Sequence, residues 1–123
     1  MIDKIELRTG NLVKFNESVY IIKRSDLELD DFFTLLEPIE TTGTWLGNFG
    51  FERVLPKLGN EAYRHLKFQN LFVTIKNGVA FQIVSQAGPN DWQIVAININ
   101  KVHLLQNKWA MLTRKELKLN LIQ

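Results

Sequence analysis

The sequence predicts an α+β fold in which an N-terminal hairpin and a C-terminal meander form an antiparallel β-sheet. A short middle helix and a longer C-terminal helix complete the prediction. Short runs of β-branched and aromatic residues lie on both sides of Asn77-Gly78, which is a strong hairpin signal. After Lys101 the spacing of apolar residues changes to a helical period. An alternative is that the N-terminal hairpin closes into a small SH3-like barrel.

Length and composition limit the classes of protein that this chain can represent. Its 123 residues predict a single domain over 1–123. Hydrophobic residues make up 46% and charged residues 23%, which is typical of globular rather than disordered proteins. Cysteine is absent, which excludes disulfides, cysteine nucleophiles and thiolate metal sites.

The N-terminal hairpin is predicted within residues 7–24. Its strands are the β-rich runs 12–15 and 19–23, and residues 16–18 (Asn-Glu-Ser) form the short connection between them. The sequence indicates no signal peptide and no apolar run of ~20 residues, the length of a membrane span. We therefore expect a cytoplasmic protein with no membrane partner.

The middle of the chain predicts a third strand and a short helix. The apolar run 32–36 is the strand, which Pro38 ends. Residues 42–49 predict the helix, because Thr42 is a suitable N-cap and Gly50 a suitable left-handed C-terminal residue. One face of this helix is apolar and carries Trp45, Leu46 and Phe49.

Three strands in the C-terminal half predict an antiparallel meander. They are 71–76, 79–84 and 92–99. Residues 53–62 are predicted to be a loop, and 63–68 are a possible fourth strand.

The C-terminal helix is predicted over 101–112. Its apolar positions recur at helical spacing and are Val102, Leu105, Trp109 and Leu112. Thr113 and Glu116 have the spacing of a capping box, which predicts a second short helix from Thr113.

Charge is distributed unevenly along the chain. Residues 1–52 hold 5 basic and 10 acidic residues, whereas residues 53–123 hold 10 basic and 3 acidic residues. A basic half can attract phosphates, which makes a nucleic-acid-binding module an alternative function. A solvated surface is the simpler interpretation, and the same holds for the acidic residues between 26 and 31. We assign no metal site.

His103 belongs to the most polar cluster at helical spacing, together with Gln106 and Asn107. The simpler interpretation is that His103 and Gln106 bond backbone groups at the junction of sheet and helix. No nucleophile motif accompanies them, so we predict that the protein is not an enzyme.

Basic and aromatic residues alternate over 63–68, a pattern that can stack bases and hold phosphates. An amphipathic edge strand is the competing interpretation. On a strand, one face would carry Arg64, Leu66 and Phe68, and the other Tyr63, His65 and Lys67.

Among the tryptophans, Trp45 and Trp109 lie on apolar helix faces and are predicted to be core residues. Trp92, at the start of a strand, is either core or a partly exposed binding anchor. The candidate ligand-binding residues are therefore Arg64, His65, Lys67, Trp92 and His103.

Three segments resemble a family of small phage and prophage proteins from Bacteroidetes-type bacteria. Residues 7–11 read Leu-Arg-Thr-Gly-Asn against the family's Leu-Arg-Ile-Gly-Asn. Residues 38–51 contain Pro-Ile and end in Trp-Leu-Gly-Asn-Phe-Gly-Phe, against the family's Trp-Leu-x-x-Phe-Gly-Phe. Residues 102–117 begin Val-His-Leu-Leu-Gln-Asn and end in Glu-Leu, against Val-His-x-Leu-Gln-Asn and Glu-Leu. The chain departs from the pattern at Gly43 and Thr44, where the family has two glutamates, and at Arg114, where it has glycine.

The resemblance implies an accessory protein of a phage or other mobile element, and it supplies no catalytic residues or cofactor. We therefore expect a non-enzymatic binding protein with a counter-defence role that acts in the host cell. Its partner would be a host protein or a small anionic, nucleotide-like ligand, and a ligand-sequestering protein of this kind would be a homo-oligomer.

Overall fold

The computed structural model describes residues 2–29, 31–54, 61–89 and 91–119. The described residues form strands and two α-helices, α1 (Gly43–Asn48) and α2 (Val102–Thr113). Short 3-10 helices span Lys4–Glu6, Arg24–Glu28 and Phe32–Leu35. The strands are β1 (Leu12–Phe15), β2 (Ser18–Ile21), β3 (Leu36–Glu37), β4 (Phe51–Val54), β5 (Glu61–His65), β6 (Leu71–Lys76), β7 (Val79–Gly88) and β8 (Asp91–Ile97).

The strands form two antiparallel sheets, which confirms the α+β fold class. One sheet has the order β2-β1-β3 and the other β4-β5-β6-β7-β8. The N-terminal hairpin and the C-terminal meander therefore lie in separate sheets, whereas the sequence predicted one. Within the described ranges neither sheet closes, so the alternative of an SH3-like barrel is not formed.

Both predicted hairpins are confirmed, and their turns explain why. Asn16 and Glu17 join β1 to β2 with φ of 52° and 65°. Asn77 and Gly78 join β6 to β7 with φ of 55° and 83°. Two consecutive residues with positive φ match the twist of the paired strands. Asn16, Asn77 and Gly78 adopt this conformation at low cost, whereas Glu17 does so less readily.

The strand predicted over 32–36 is wrong for most of its length. Phe32–Leu35 is a 3-10 helix, and extended pairing begins only at Leu36. The carbonyl of Asp31 accepts hydrogen bonds from both the backbone N–H and the hydroxyl of Thr34, at 3.1 and 2.6 Å. This local turn places the Phe32 ring 5.4 Å from that of Phe15. Local hydrogen bonding and ring packing thus replace strand pairing here.

The loop predicted over 53–62 is also wrong at both ends. Residues 53–54 belong to β4 and residues 61–62 to β5, while 55–60 lie outside the described residues. The predicted fourth strand over 63–68 is confirmed only as far as His65, where β5 ends. β4 was not predicted because its four residues are too few to show a clear alternation of apolar and polar side chains.

Two of the three predicted helices, the middle helix and the longer C-terminal helix, are confirmed as α1 and α2. The Thr42 hydroxyl accepts the N–H of Trp45, and Gly50 has a φ of 90° just beyond α1. The second helix predicted from Thr113 is not formed among the described residues. Thr113 instead ends α2 and its hydroxyl accepts the N–H of Lys115, while Arg114 is left-handed with a φ of 60°. Leu112, predicted on the buried face of the helix, is 41% exposed.

Two hydrophobic clusters stabilise the fold. The main core includes residues of β6, β7 and both helices; its fully buried members include Leu46, Val73, Ile83, Val102, Leu105 and Trp109. The N-terminal core includes residues of β1 and the segments around it; its buried members are Ile2, Leu7, Val13, Ile22 and Leu36. Leu12 of β1 belongs to the main core, so this strand contributes to both clusters.

Candidate functional site

The five candidate residues do not meet in one place. Arg64 and His65 are consecutive in β5 and therefore point to opposite faces of the sheet. Lys67 lies beyond the end of that strand, Trp92 is near the start of β8, and His103 is in the first turn of α2. The basic, aromatic pocket expected of a sequestering protein is not assembled from these residues.

His65 is a core residue rather than a ligand-facing one. It is 8% exposed, and its ring centroid lies 5.0 Å from Phe51, 5.2 Å from Trp109 and 5.5 Å from Phe68. Its Nδ1 accepts the N–H of Lys67 at 3.0 Å. Burial, and secondarily the charge of Lys67, lower the pKa of His65 below its ordinary value of 6.5. A hydrogen bond to the Phe49 backbone acts in the opposite direction and raises the pKa, but its effect is smaller.

The lowered pKa of His65 predicts a loss of stability in mild acid. The neutral ring is favoured in the folded state, so its stabilising effect is present above pH 6.5 and is lost as the pH falls towards the folded pKa. Urea unfolding of the wild type and of the variant His65→Asn, each measured between pH 7.5 and 5, checks this prediction. Asparagine retains a hydrogen-bond acceptor without titrating, and His103 remains in both proteins. Equal pH slopes for the two proteins would contradict the prediction.

Arg64 and Trp92 lie on the other face of the five-stranded sheet. The Arg64 guanidinium is 2.9 Å from the Glu52 carboxylate on β4. Arg64 is paired across the strands with Phe72, whose ring is 5.0 Å from that of Trp92. Trp92 is thus half-buried on the sheet, and the charge of Arg64 is already paired.

The alternation predicted beyond His65 is not observed. β5 ends at that residue, so Phe68 turns to the same side as His65, with its ring 5.8 Å from Trp109. The side chain of Lys67 is exposed.

The polar cluster of α2 connects the helix to the N-terminal segment. Gln106 accepts the N–H of Leu12 at 2.8 Å and donates to the carbonyl of Gly10 at 3.1 Å. Asn107 donates to the carbonyl of Glu6 and accepts from Nε of Arg8, both at 2.6 Å. The interpretation that Gln106 bonds backbone groups at a junction is therefore confirmed.

His103 belongs to the same junction but bonds a side chain. It is 1% exposed, and its Nε2 lies 3.0 Å from Oε1 of Glu6. Its Nδ1 is buried without a hydrogen-bond partner. A buried histidine held by a carboxylate of the N-terminal segment positions that segment against α2. We therefore assign His103 a structural role.

An open groove lies beside the N-terminal core, at a position that the sequence did not reveal. We call it the N-terminal groove; it is a shallow depression of about 450 Å³, open to solvent over most of its extent, and is lined by Leu29, Asp31, Phe32, Thr34 and Leu35. Leu29 and Leu35 are 53% and 60% exposed. The acidic composition of this region is evident in the sequence, but the strand predicted over 32–36 gave no indication of a groove.

The described ranges contain two α-helices, α1 and α2. No helix there has the length and apolar character needed to cross a membrane. The same part of the chain gathers no three side chains of His, Cys, Asp or Glu that could hold a metal ion. Comparison of the chain with protein-family models, with curated proteins and with solved structures gave no match.

Proposed function

We propose that the chain is a non-enzymatic accessory protein of a phage or prophage that binds a host protein through the N-terminal groove. The resemblance described above supplies the biological setting, in which a counter-defence role in the host cytoplasm is the natural use of such a protein. The observation that carries the choice of a protein ligand is the groove itself, with its two exposed leucines.

The arrangement of the basic residues favours a protein partner over a small anionic ligand. Tight binding of a nucleotide-like anion needs several donors that converge on it. Arg64 is paired with Glu52, while His65 and His103 are buried in separate places. These side chains therefore do not form a common anion site.

Three of the ten basic residues in 53–123 are ion-paired in the described part of the chain, which reduces the positive charge that a nucleic-acid-binding module in this half could use. Arg53, Arg64 and Lys101 each have a carboxylate within 4.0 Å. Each such carboxylate reduces the positive potential available to a phosphate backbone.

The N-terminal groove has the character of a docking surface for a basic, amphipathic segment. Leu29 and Leu35 offer apolar contacts, and an exposed apolar surface of this kind is typical of protein-binding sites. Asp31 lines the groove, and the exposed Glu28 directly precedes the lining residue Leu29 in the sequence. Their carboxylates favour a partner with lysine or arginine next to its apolar residues.

Leu35→Lys tests this proposal. Placing a positive charge in the groove should weaken binding of a basic partner by about tenfold or more. The matched control is Met111→Lys, because Met111 is 75% exposed on α2, outside the groove lining. Tagged proteins are expressed in the phage's host, captured proteins are identified by mass spectrometry, and affinities are then measured with the purified partner.

The proposal predicts a host protein that the wild type and Met111→Lys retain and Leu35→Lys loses. Equal binding by both variants would exclude the groove. A small anion retained in native mass spectrometry, with no captured protein, would contradict the choice of a protein ligand.

A further inference from the structure

The turn between β6 and β7 contains a pair of residues that can react with each other. In an Asn-Gly pair the backbone nitrogen of glycine can attack the side-chain amide of asparagine, because glycine has no Cβ to hinder the approach. Asn77-Gly78 is such a pair, and every other asparagine of the sequence is followed by a residue with a side chain. The chemistry of the sequence therefore singles out Asn77.

The structure leaves both reacting groups accessible. Asn77 and Gly78 are exposed and lie between Lys76 and Val79, the last paired residues of the two strands. The N–H of Gly78 donates to no backbone acceptor among the described residues. No atom of those residues lies within 4 Å of the position that a Cβ on Gly78 would occupy. The attacking nitrogen, the amide and the water needed for hydrolysis can therefore meet in the folded protein.

We propose that Asn77 is a modification site at which the folded protein deamidates spontaneously. The nitrogen of Gly78 loses its proton to solvent and bonds to Cγ of Asn77. The bond from Cγ to Nδ2 breaks, and the nitrogen leaves as ammonia after taking up a proton from solvent. Water then opens the cyclic imide. Opening at the side-chain carbonyl gives aspartate, and opening at the backbone carbonyl gives isoaspartate, in which the chain continues through Cβ and Cγ.

The turn between β1 and β2 is an internal comparison with nearly the same backbone. Asn16 and Glu17 have φ of 52° and 65°, against 55° and 83° for Asn77 and Gly78. Asn16 and Glu17 are also exposed. The Cβ of Glu17 hinders the attack of its nitrogen, and its carboxylate disfavours loss of the proton from that nitrogen. Asn16 should therefore stay intact while Asn77 reacts.

The modification changes a turn that sets the register of two inner strands. β6 and β7 lie inside the five-stranded sheet. Close to the turn, the N–H of Ala80 donates to the carbonyl of Thr41 at 2.8 Å and connects the hairpin to the segment before α1. Isoaspartate at position 77 adds one atom to the backbone and a carboxylate to the turn. The end of the hairpin and its contact with Thr41 are therefore loosened as the protein ages.

Peptide mapping by mass spectrometry of the full chain, incubated folded in mildly alkaline buffer, tests the proposal. We expect Asn77 to convert at least about tenfold faster than Asn16. Glu17→Gly creates a second Asn-Gly pair in a matching turn, so Asn16 should then react at least about tenfold faster than in the wild type. Asn77→Gly removes the amide and keeps a Gly-Gly pair suited to the turn, and it should give no product at position 77. Circular dichroism verifies that both variants are folded.

Hydrogen exchange gives a second readout. Exchange at Ala80 should be faster in the aged wild type than in fresh protein, and unchanged by ageing in Asn77→Gly. Exchange at Ile22, whose N–H donates to the carbonyl of Asn11 in the other hairpin, should stay the same. An Asn77 that stays intact in the folded chain, or converts no faster than Asn16, overturns the proposal. So does an Asn16 that stays unreactive in Glu17→Gly.

Discussion

Replacing Trp109 by alanine should lower the free energy of unfolding by about 3–5 kcal/mol, the largest effect we expect from a single substitution. Trp109 is 1% exposed in the main core. The ring centroids of Phe51, His65 and Phe68 lie 5.1, 5.2 and 5.8 Å from it. Alanine would leave a cavity among three rings that come from different parts of the chain, so neighbouring side chains cannot fill it without moving the strands.

Urea unfolding followed by circular dichroism measures this loss. Met111→Ala is the control on the same helix, because Met111 is 75% exposed, and should change stability by less than about 0.5 kcal/mol. Trp109→Phe should give an intermediate loss and remains measurable if the alanine variant does not fold. Similar losses for Trp109→Ala and Met111→Ala would show that the main core does not depend on this side chain.

Gln106→Ala should give the second largest effect, a loss of about 2–4 kcal/mol. The substitution removes the acceptor of the Leu12 N–H and the donor to the Gly10 carbonyl. Gln106 is 4% exposed, so these backbone groups would lose their partners in a poorly hydrated place. Hydrogen exchange should show the damage concentrated in β1, because that strand is the part of the three-stranded sheet that Gln106 holds.

The control for this prediction replaces a solvent-exposed glutamine by alanine. Gln69 is exposed and donates to the Leu66 carbonyl at 3.3 Å. Gln69→Ala should therefore leave stability almost unchanged. Uniformly faster exchange throughout Gln106→Ala, with β1 no more affected than β6, would contradict a local role for the junction.

The elements that could be predicted from the sequence are those with local signals. Asn77-Gly78 specifies its turn through backbone conformation, and Thr42 specifies the start of α1 through one side-chain hydrogen bond. The helical spacing of Val102, Leu105 and Trp109 was sufficient to predict α2 and its buried face. In each case the information lies within a few residues of the element itself.

The elements that were missed depend on residues far away in the sequence. β4 is stabilised by pairing with β5, including the contact between Glu52 and Arg64. The 3-10 helix at Phe32–Leu35 packs on rings from β1 and β2. Apolar composition is the same for a strand and for such a turn, so it could not distinguish them.

For a related reason, the sequence could not show that His65 is packed in the core. Period-2 alternation correctly placed Arg64 and His65 on opposite faces of β5, but it could not say which face packs on α2. The three rings around His65 settle this, and Phe68 and Trp109 reach it from outside the strand. A histidine in a basic and aromatic stretch therefore indicated a ligand site where the structure has core packing.

The junction between α2 and the N-terminal segment also determines when the protein can finish folding during synthesis. Leu12 and Gln106 are 94 residues apart, and Glu6 and Asn107 are 101 apart. At a ribosomal rate of roughly 5–20 residues per second, the first strands wait some 5–20 seconds for the helix that holds them. The meander of β6, β7 and β8 has its partners close by in sequence and needs no such delay. During that interval the apolar residues of β1 and β2 are the part of the nascent chain that a chaperone would have to protect.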